Sequence, residues 1–366
     1  MPLDRIYLTR HGHRLGWTID LQTGIYSSPY NSPTGNATDP TLTSHGVRQS
    51  HELAAHMVSE NFDPKPWRVY SSPFYRCLQT IRPGIEALKE RQVNSWTGSA
   101  DGSELDVRLE NGLGEWFGTS SFNHPSPASP AILQSLFPNI VHSDPEQHYS
   151  PEVIPSSHGE TIIQLHDRLA TTLAAIIARV DSEVEIFEAL QPHSSPMARS
   201  SKAIMICSHA APLIAMGRAL TGCMPEDPEE EDFKVFTTGL STFVRRKRPT
   251  VIRSRSGSGD REGNLVIGTS SEQVGEDVIG RLAPGTKVGG PHIKVPDWTE
   301  GKGVGGGWDC ISNSDCGFLS GGEERGWHFN GEESFDTIVT NPHTAVTSPT
   351  ISGHDLSSSS TGPSKL

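Results

Sequence analysis

The chain has 366 residues, with 30 Lys and Arg against 43 Asp and Glu, so its formal net charge at pH 7 is −13. This acidic surplus argues against nucleic-acid binding by the whole surface, since such binding requires clustered cations. No apolar run approaches the ~20 residues of a membrane span, and Met1–Leu8 lacks the apolar core of a signal peptide. Five widely spaced cysteines predict free thiols.

The first part of the chain predicts a strand, a long loop and a helix. The apolar run Arg5–Thr9 has the length of a strand and ends at an Arg-His-Gly turn. Residues 16–40 are rich in Gly, Pro, Ser, Thr and Asn, which predicts a loop. An apolar stripe then predicts a helix up to about Ser59, and Thr43 or Ser44 can cap its N-terminus.

The alternation continues through the middle of the chain. Val69–Ser71 predicts a second strand, and the helix after it contains Pro83, which should kink that helix or delay its start. Residues 125–155 are rich in Pro and Ser and predict irregular structure. Gly159–Val180 carries apolar residues at helical spacing, and Ala203–Cys207 has the continuous apolar run of a buried strand.

A further helix is predicted from about Ala210 to Leu220, and Thr242–Val244 predicts the end of a strand. Strands that alternate with helices in this rhythm predict an α/β domain with a mostly parallel central sheet. After this point the pattern weakens. Pro249–Lys302 is rich in Gly, Ser and charge, which predicts a mobile excursion. Trp308–Ile311 and Gly317–Leu319 predict late strands that return to the sheet.

Two histidines follow predicted strands at comparable places. His11 follows the first strand, and His209 follows the apolar strand AIMIC. Ligands of an open α/β sheet bind beyond the carboxyl ends of its strands, so both histidines should project into one crevice. Arg10 and Arg14 flank the first histidine, and Arg76 follows the second strand.

This set of side chains suits a phosphoryl group. Arginine binds phosphate oxygens in a bidentate fork, and a neutral imidazole is a competent nucleophile toward phosphorus. Nearby arginine charges disfavour the imidazolium form and keep His11 unprotonated. The leaving oxygen needs a general acid, which we expect at Glu115, because its two aromatic neighbours would desolvate it and raise its pKa. Glu110 or Asp106 could serve instead.

Five segments in this order resemble the histidine phosphatase (phosphoglycerate mutase-like) superfamily: LTRHGHR, LTSHGVRQ, SSPFYRCLQT, GLGEW and SHAAP. The resemblance covers about residues 3–245, with 306–319 as final strands. It implies a three-layer α/β/α fold with helices on both faces of the sheet, and a reaction without metal or other cofactor. It further implies a phosphohistidine at His11 and a proton donor at Glu115. The implied phosphate pocket consists of Arg10, Arg14, Arg76 and His209.

Within the superfamily, the SSPxxRCxQT and GLxEW forms are similar to two groups. These are the suppressor-of-T-cell-receptor-signalling phosphatase domains and the fungal tau 55 kDa subunits of transcription factor IIIC. The first expectation is therefore a metal-independent phosphatase acting on an unidentified phosphorylated substrate. The alternative is a catalytically weak or inactive scaffold subunit of a transcription factor IIIC-like assembly. A phosphoglycerate-type mutase is the third choice, because Ala210 stands where mutases have Gly.

The expected organisation has four parts. A histidine phosphatase-like domain spans 1–245, and a low-complexity basic and Gly-rich insertion spans 246–303. Returning strands and a docking segment with Trp327 follow at 304–335, and a disordered tail spans 336–366. The C-terminal third would carry any contact with a protein partner.

Two weaker patterns remain open. His11 and His13 have the alternation of a metal-binding pair, but no carboxylate or Cys follows at ligand spacing, so we expect no metal site. The basic stretch Arg245–Arg255 is either a nuclear localisation signal, a nucleic-acid contact or a solubilising loop that pairs with the nearby acidic run. We expect the protein in the cytoplasm, the nucleus or both.

Overall fold

A central sheet with helices packed on it organises the computed structural model, which describes residues 3–94, 105–191, 200–247 and 281–330. In chain order the elements are β1 (Arg5–Arg10), β2 (Thr18–Asp20), β3 (Ile25–Ser27), α1 (Ser44–Val58), β4 (Pro66–Ser71), α2 (Tyr75–Asn94), β5 (Val107–Leu109), α3 (Pro130–Leu136), β6 (Val153–Ile154), α4 (Ile162–Leu190), β7 (Ala203–Ser208), α5 (Ala210–Thr221), β8 (Leu240–Arg245), β9 (Lys287–Val288) and β10 (Trp308–Asp315).

The large sheet has the strand order β10-β8-β1-β7-β4-β5 in the described part of the chain. β1, β7, β4 and β5 pair in parallel, and β8 runs antiparallel to both of its neighbours. This confirms the mostly parallel sheet. One returning strand, β10, replaces the two predicted ones. Gly317–Leu319 forms a turn instead, in which the Leu319 amide donates to the Cys316 carbonyl.

Side-chain alternation along the strands divides the core into two layers. Ile6 and Leu8 of β1 pack with α4 and α5 on one face of the sheet. Tyr7, between them in sequence, packs with α1 and α2 on the other face. Successive side chains of a strand point to opposite faces, so a strand covered on both sides needs apolar residues at nearly every position. The three-layer α/β/α fold is thereby confirmed.

Two predicted helices differ in length from the expectation. α2 begins at Tyr75 and continues through Pro83, which neither delays its start nor ends it. The side chains of Ile81 and Ile85 are fully buried, and this tertiary packing outweighs the backbone hydrogen bond that proline removes. α4 extends to Leu190, and Thr161 caps its N-terminus in a capping box.

Two stretches predicted as irregular contain short elements. Residues 16–40 hold the β2–β3 hairpin, and residues 125–155 hold α3, whose N-cap is Ser129. A serine before a proline at the first helical position is a favoured helix start, so the sequence contained a usable pattern. Short elements of this kind are stabilised by the surfaces on which they pack.

Residues 281–302 of the predicted excursion are packed on the domain. The Trp298 side chain is 3% exposed, and its indole donates to the Asp167 carboxylate. Arg281 forms an ion pair with the same carboxylate. The rest of the excursion, 248–280, and the predicted tail, 336–366, lie outside the described residues. The domain boundaries stay a prediction.

Charge pairing accounts for the start of the basic stretch. Arg245 pairs with Asp181, and Arg246 pairs with Asp309. The partners of these two arginines are therefore not in the acidic run 226–232. The rest of the basic stretch, residues 248–255, lies outside the described part of the chain. All five cysteines are free thiols, as predicted. Among the described residues, no helix combines the length and apolarity that a bilayer span requires.

Candidate active site

The carboxyl ends of three neighbouring strands deliver the candidate residues to one place. His11 follows β1 and His209 follows β7, and these two strands pair in register up to Arg10 and Ser208. The backbone amide of His11 donates to the Ser208 carbonyl at 3.0 Å, which fixes the two strand ends together. Arg76 lies in the first turn of α2, just beyond the end of β4.

The two imidazole rings meet edge to face with their centroids 5.3 Å apart. Nδ1 of His11 lies 2.9 Å from the Gly12 carbonyl, and because a carbonyl can only accept, Nδ1 carries the proton. Nε2 therefore keeps its lone pair. Burial, followed by the positive charge of Arg76, holds the pKa of His11 well below its usual range.

Arg76 is fully buried and connects three walls of the pocket. Its Nη1 donates to the Thr38 carbonyl at 2.9 Å and to the Asp39 carboxylate at 3.2 Å. Its Nη2 lies 3.0 Å from the Glu115 carboxylate and 3.0 Å from Nδ1 of His209. Its Nε is buried without a hydrogen-bond partner among the residues that the structure describes.

Two further arginines bring positive charge to the same pocket. Arg10 Nη1 donates to the carbonyls of Val235 and Arg325, at 2.7 and 2.6 Å, and its buried Nε has no partner in the described part of the chain. Burial lowers the pKa of Arg10 to about 10. Burial, and then the charge of Arg76, lowers the pKa of Arg14 to about 9. The pocket therefore holds cations that lack a full set of anionic partners.

The expected rise in the pKa of Glu115 is wrong for the empty pocket. Burial does act to raise it, but the positive charges of His209 and Arg76 outweigh burial and hold this pKa well below its usual range. The carboxylate lies 3.3 Å from Nδ1 of His209. Glu115 is therefore ionised when no anion occupies the pocket.

Glu110 and Asp106, the alternative acids, lie elsewhere. The Glu110 carboxylate accepts hydrogen bonds from the backbone amides of Gly112, Glu152 and Val153. Asp106 forms an ion pair with Lys89. Both carboxylates are engaged in holding loops, which leaves Glu115 as the carboxylate that faces the two histidines.

His209 is enclosed by polar neighbours. Its Nε2 lies 2.7 Å from the Ser72 hydroxyl, and its Nδ1 faces Arg76 and Glu115. Burial lowers its pKa, but Cys77 and Glu115 more than offset burial, so the pKa of His209 is raised. The pKa shifts of the two histidines are thus opposite, lowered for His11 and raised for His209.

A buried ion pair holds the loop that carries Glu115. Arg168 Nη1 donates to the carbonyls of Gly112 and Gly114, at 2.7 and 3.1 Å. Its Nε donates to both oxygens of Glu160, at 2.8 and 3.1 Å. Both members of the pair are buried, so the loop is fixed to α4 by interactions that water does not screen.

The His13 imidazole hydrogen-bonds to the Thr43 hydroxyl and packs against His45. Ligand atoms of His11, Glu115 and His209 instead lie within 4.8 Å of one another, a spacing that could hold an ion. The three arginines around them, however, favour an anion at this place.

Some pocket residues escaped the sequence prediction. Ser72 lies at a strand end, where the rule that found His11 would also have found it. Asp39 and Arg325 come from distant loops, and no local pattern marks them as neighbours of Arg76 and Arg10.

Comparison with known proteins gives three kinds of match. A family model described as the histidine phosphatase superfamily (branch 1) matches residues 6–256. The transcription factor tau 55 kDa subunit of Saccharomyces cerevisiae is 32% identical over 223 residues, which is 61% of this chain and 42% of that protein. The ecdysteroid-phosphate phosphatase of Drosophila melanogaster is 27% identical over 244 residues, 62% of this chain and 28% of that protein.

Among solved structures, the ecdysone phosphate phosphatase of Bombix mori in complex with tungstate is similar at a TM-score of 0.44 and 20% identity. That match covers 70% of this chain and 97% of the other. The chain spans less than half the length of either curated relative.

Proposed function

The chain belongs to the histidine phosphatase superfamily, and from this premise we propose that it is a phosphatase that transfers a phosphoryl group through His11 to water without a metal ion. One observation carries the proposal: a neutral imidazole faces a second histidine in a pocket lined by three arginines. Phosphoryl transfer needs a positioned nucleophile and fixed positive charge, and this pocket supplies both.

In the first step, Nε2 of His11 forms a bond to phosphorus, and the bond from phosphorus to the leaving oxygen breaks. Nδ1 keeps its proton on the Gly12 carbonyl, so the ring stays oriented throughout. We assign the binding of phosphoryl oxygens to the guanidinium groups of Arg10 and Arg76, whose buried Nε atoms have no partner in the described residues. These cations stabilise the negative charge that spreads over the equatorial oxygens.

Glu115 donates the proton to the leaving oxygen, and the substrate itself makes that possible. In the empty pocket the carboxylate is ionised because Arg76 and His209 favour its charged form. A bound phosphate brings two negative charges next to Glu115 and competes for Arg76, and both effects raise the pKa of the carboxyl group. In the second step the same carboxylate removes a proton from the attacking water, whose oxygen bonds to phosphorus while the bond from phosphorus to Nε2 of His11 breaks.

Hydrolysis of 4-nitrophenyl phosphate with EDTA present tests the mechanism, over pH 4–8 and with no phosphorylated primer. We expect turnover by the wild type and a loss of about three orders of magnitude in His11→Ala. His13→Ala is the matched control and should keep its turnover, because that ring is engaged outside the pocket. Activity only with added metal would contradict the proposal, and activity only with a bisphosphorylated primer would favour a mutase.

A second pair of substrates tests the proton donor. Phenyl phosphate has a poor leaving group, so it depends on protonation more than 4-nitrophenyl phosphate does. In Glu115→Gln we expect kcat for phenyl phosphate to fall by about 10²–10⁴-fold and kcat for 4-nitrophenyl phosphate to fall much less. Equal losses with both esters would show that Glu115 does not protonate the leaving group.

The similarity to a tau 55 kDa subunit favours a second candidate function. The chain would then serve in the nucleus as a scaffold subunit of a transcription factor IIIC-like assembly, with the phosphatase fold as its core. This candidate must be tested on the full chain, because a cut near Arg245 removes β10, which pairs with β8. Copurification of the other subunits with wild type and His11→Ala alike is the expected result for a scaffold, and its absence would contradict that role.

A further inference from the structure

A late segment of the chain closes one side of the pocket. Residues 323–329 follow the last strand, and two anchors hold them. Glu324 lies within hydrogen-bond distance of His45 and Gln49 of α1. Phe329 is buried against Trp116, which adjoins the proposed proton donor. The segment therefore crosses from α1 to the loop that carries Glu115.

Arg325 lies between these anchors in a conformation that few non-glycine residues adopt. Its φ is 52°, in the left-handed region, and its carbonyl accepts a 2.6 Å hydrogen bond from Arg10 Nη1. Strained backbone of this kind is found where the surrounding structure fixes a residue for function. The contact with Arg10 places the backbone of Arg325 directly beside the phosphate pocket.

The Arg325 side chain is exposed, and within the described residues its guanidinium forms no hydrogen bond or ion pair. Its charge lowers the pKa of Arg10 and of His13, so the guanidinium lies within electrostatic reach of both. The neighbouring carboxylates do not neutralise it. Glu324 faces His45 and Gln49, and Glu323 pairs with Lys234.

We propose that Arg325 is a specificity-determining residue that binds a second anionic group on the leaving group of the substrate. The inference rests on the proposed phosphatase function and narrows its substrate class to phosphomonoesters whose alcohol carries another negative charge. The arginines of the pocket bind the phosphoryl group, and Arg325 binds the second anionic group beside the pocket. An unpaired guanidinium held beside the pocket attracts such a group without first breaking an ion pair.

Two isosteric substrate pairs test this assignment with the full chain. Carboxyphenyl phosphate and carbamoylphenyl phosphate, each as the meta and para isomer, differ in charge and hardly in shape. We expect the wild type to have a higher kcat/KM for the carboxylates. In Arg325→Gln that preference should fall by about three- to tenfold, the range of a partly exposed charge contact. Arg325→Lys should keep most of it, and Arg325→Glu should reverse it.

Lys234→Gln is the matched control, because it removes an exposed cation that faces Glu323, and it should keep the wild-type preference. An Arg325→Gln enzyme with the wild-type preference would overturn the inference, while turnover of the carbamoyl esters would still support the phosphatase. Dissociation constants for the same esters, measured by calorimetry on His11→Ala, test the contribution of Arg325 to binding without any turnover. Equal dissociation constants for each charged and neutral pair would overturn the role of Arg325 even if the phosphatase proposal fails.

Discussion

Two of the regions in which this protein buries arginines treat the charge differently. Beneath the Glu115 loop, each of the three guanidinium nitrogens of Arg168 has an acceptor, and Glu160 supplies the opposite charge. In the phosphate pocket, Arg10 and Arg76 leave buried donors without partners in the described part of the chain, and burial beside like charges lowers the pKa of Arg10. The same residue type is fully satisfied in one place and left unsatisfied in the other.

The difference distinguishes an arginine that holds the fold in place from the arginines that we propose to bind the substrate. A paired buried charge fixes its surroundings, and Arg168 in this way holds the carbonyls of Gly112 and Gly114 beside Glu115, the proposed proton donor. Unpaired buried donors cost stability. In the proposed phosphate pocket, a bound anion would supply acceptors that the guanidinium groups of Arg10 and Arg76 lack among the described residues.

The largest expected effect comes from breaking the paired region. Arg168→Met leaves the Glu160 carboxylate buried and unpaired and should cost about 3–5 kcal/mol of unfolding free energy. Arg14→Met is the matched variant, because it removes a cation from the crowded pocket and should cost nothing or stabilise by about 1 kcal/mol. Urea unfolding of both variants measures the contrast. Equal losses of unfolding free energy in the two variants would contradict the distinction between the two regions.

Inorganic phosphate should bind in the pocket and pair with its arginines. At a concentration 100 times its dissociation constant, a ligand that binds only the folded protein adds about 2.7 kcal/mol to the unfolding free energy. We expect a rise in melting temperature that chloride at equal ionic strength does not produce. The rise should be smaller in Arg14→Met, since one cation of the pocket is missing. An unchanged melting temperature at saturating phosphate would contradict an anion site.

The smallest effect is a shift in one titration. His11 and His166 are both buried, and burial lowers the pKa of His166 from its ordinary 6.5 to about 4. Below pH 6.5 His166 binds a proton in the unfolded chain but stays neutral in the folded protein. The free energy of unfolding therefore falls as the pH drops from 6.5 toward 4. Imidazole NMR titrations should show that phosphate raises the pKa of His11 and leaves that of His166 unchanged. A shift of both would point to a global change.

Most of the pocket residues could be located from the sequence, because one rule of sheet topology requires no knowledge of side-chain contacts. Parallel strands end at the same edge of a sheet, so His11, His209 and Arg76 could be placed together before any distance was known. The electrostatics could not be predicted in the same way. Glu115 has aromatic neighbours in sequence, but the charges that decide its pKa come from other strands.

The limits of the fold prediction have the same origin. A continuous apolar run identified β7, and the apolar stripe identified α1, because these patterns are local. Of the two effects expected of Pro83, the later start of α2 does not occur, since the packing that compensates the proline comes from other elements. Arg325 carries no local pattern at all, because its place beside Arg10 depends on a contact between the two ends of the described chain.

The position of β1 in the sheet sets the order in which a growing chain can fold. Residues of β1 are synthesised long before their partners in β7 and β8, which begin only at Ala203 and Leu240. Until those strands are synthesised, a strand that is apolar on both faces has no sheet to join. Contacts between such distant residues make folding slow and leave the nascent chain prone to association. Since Arg10 ends this strand and His11 follows it, the pocket can form only when β1 pairs with β7 and β8.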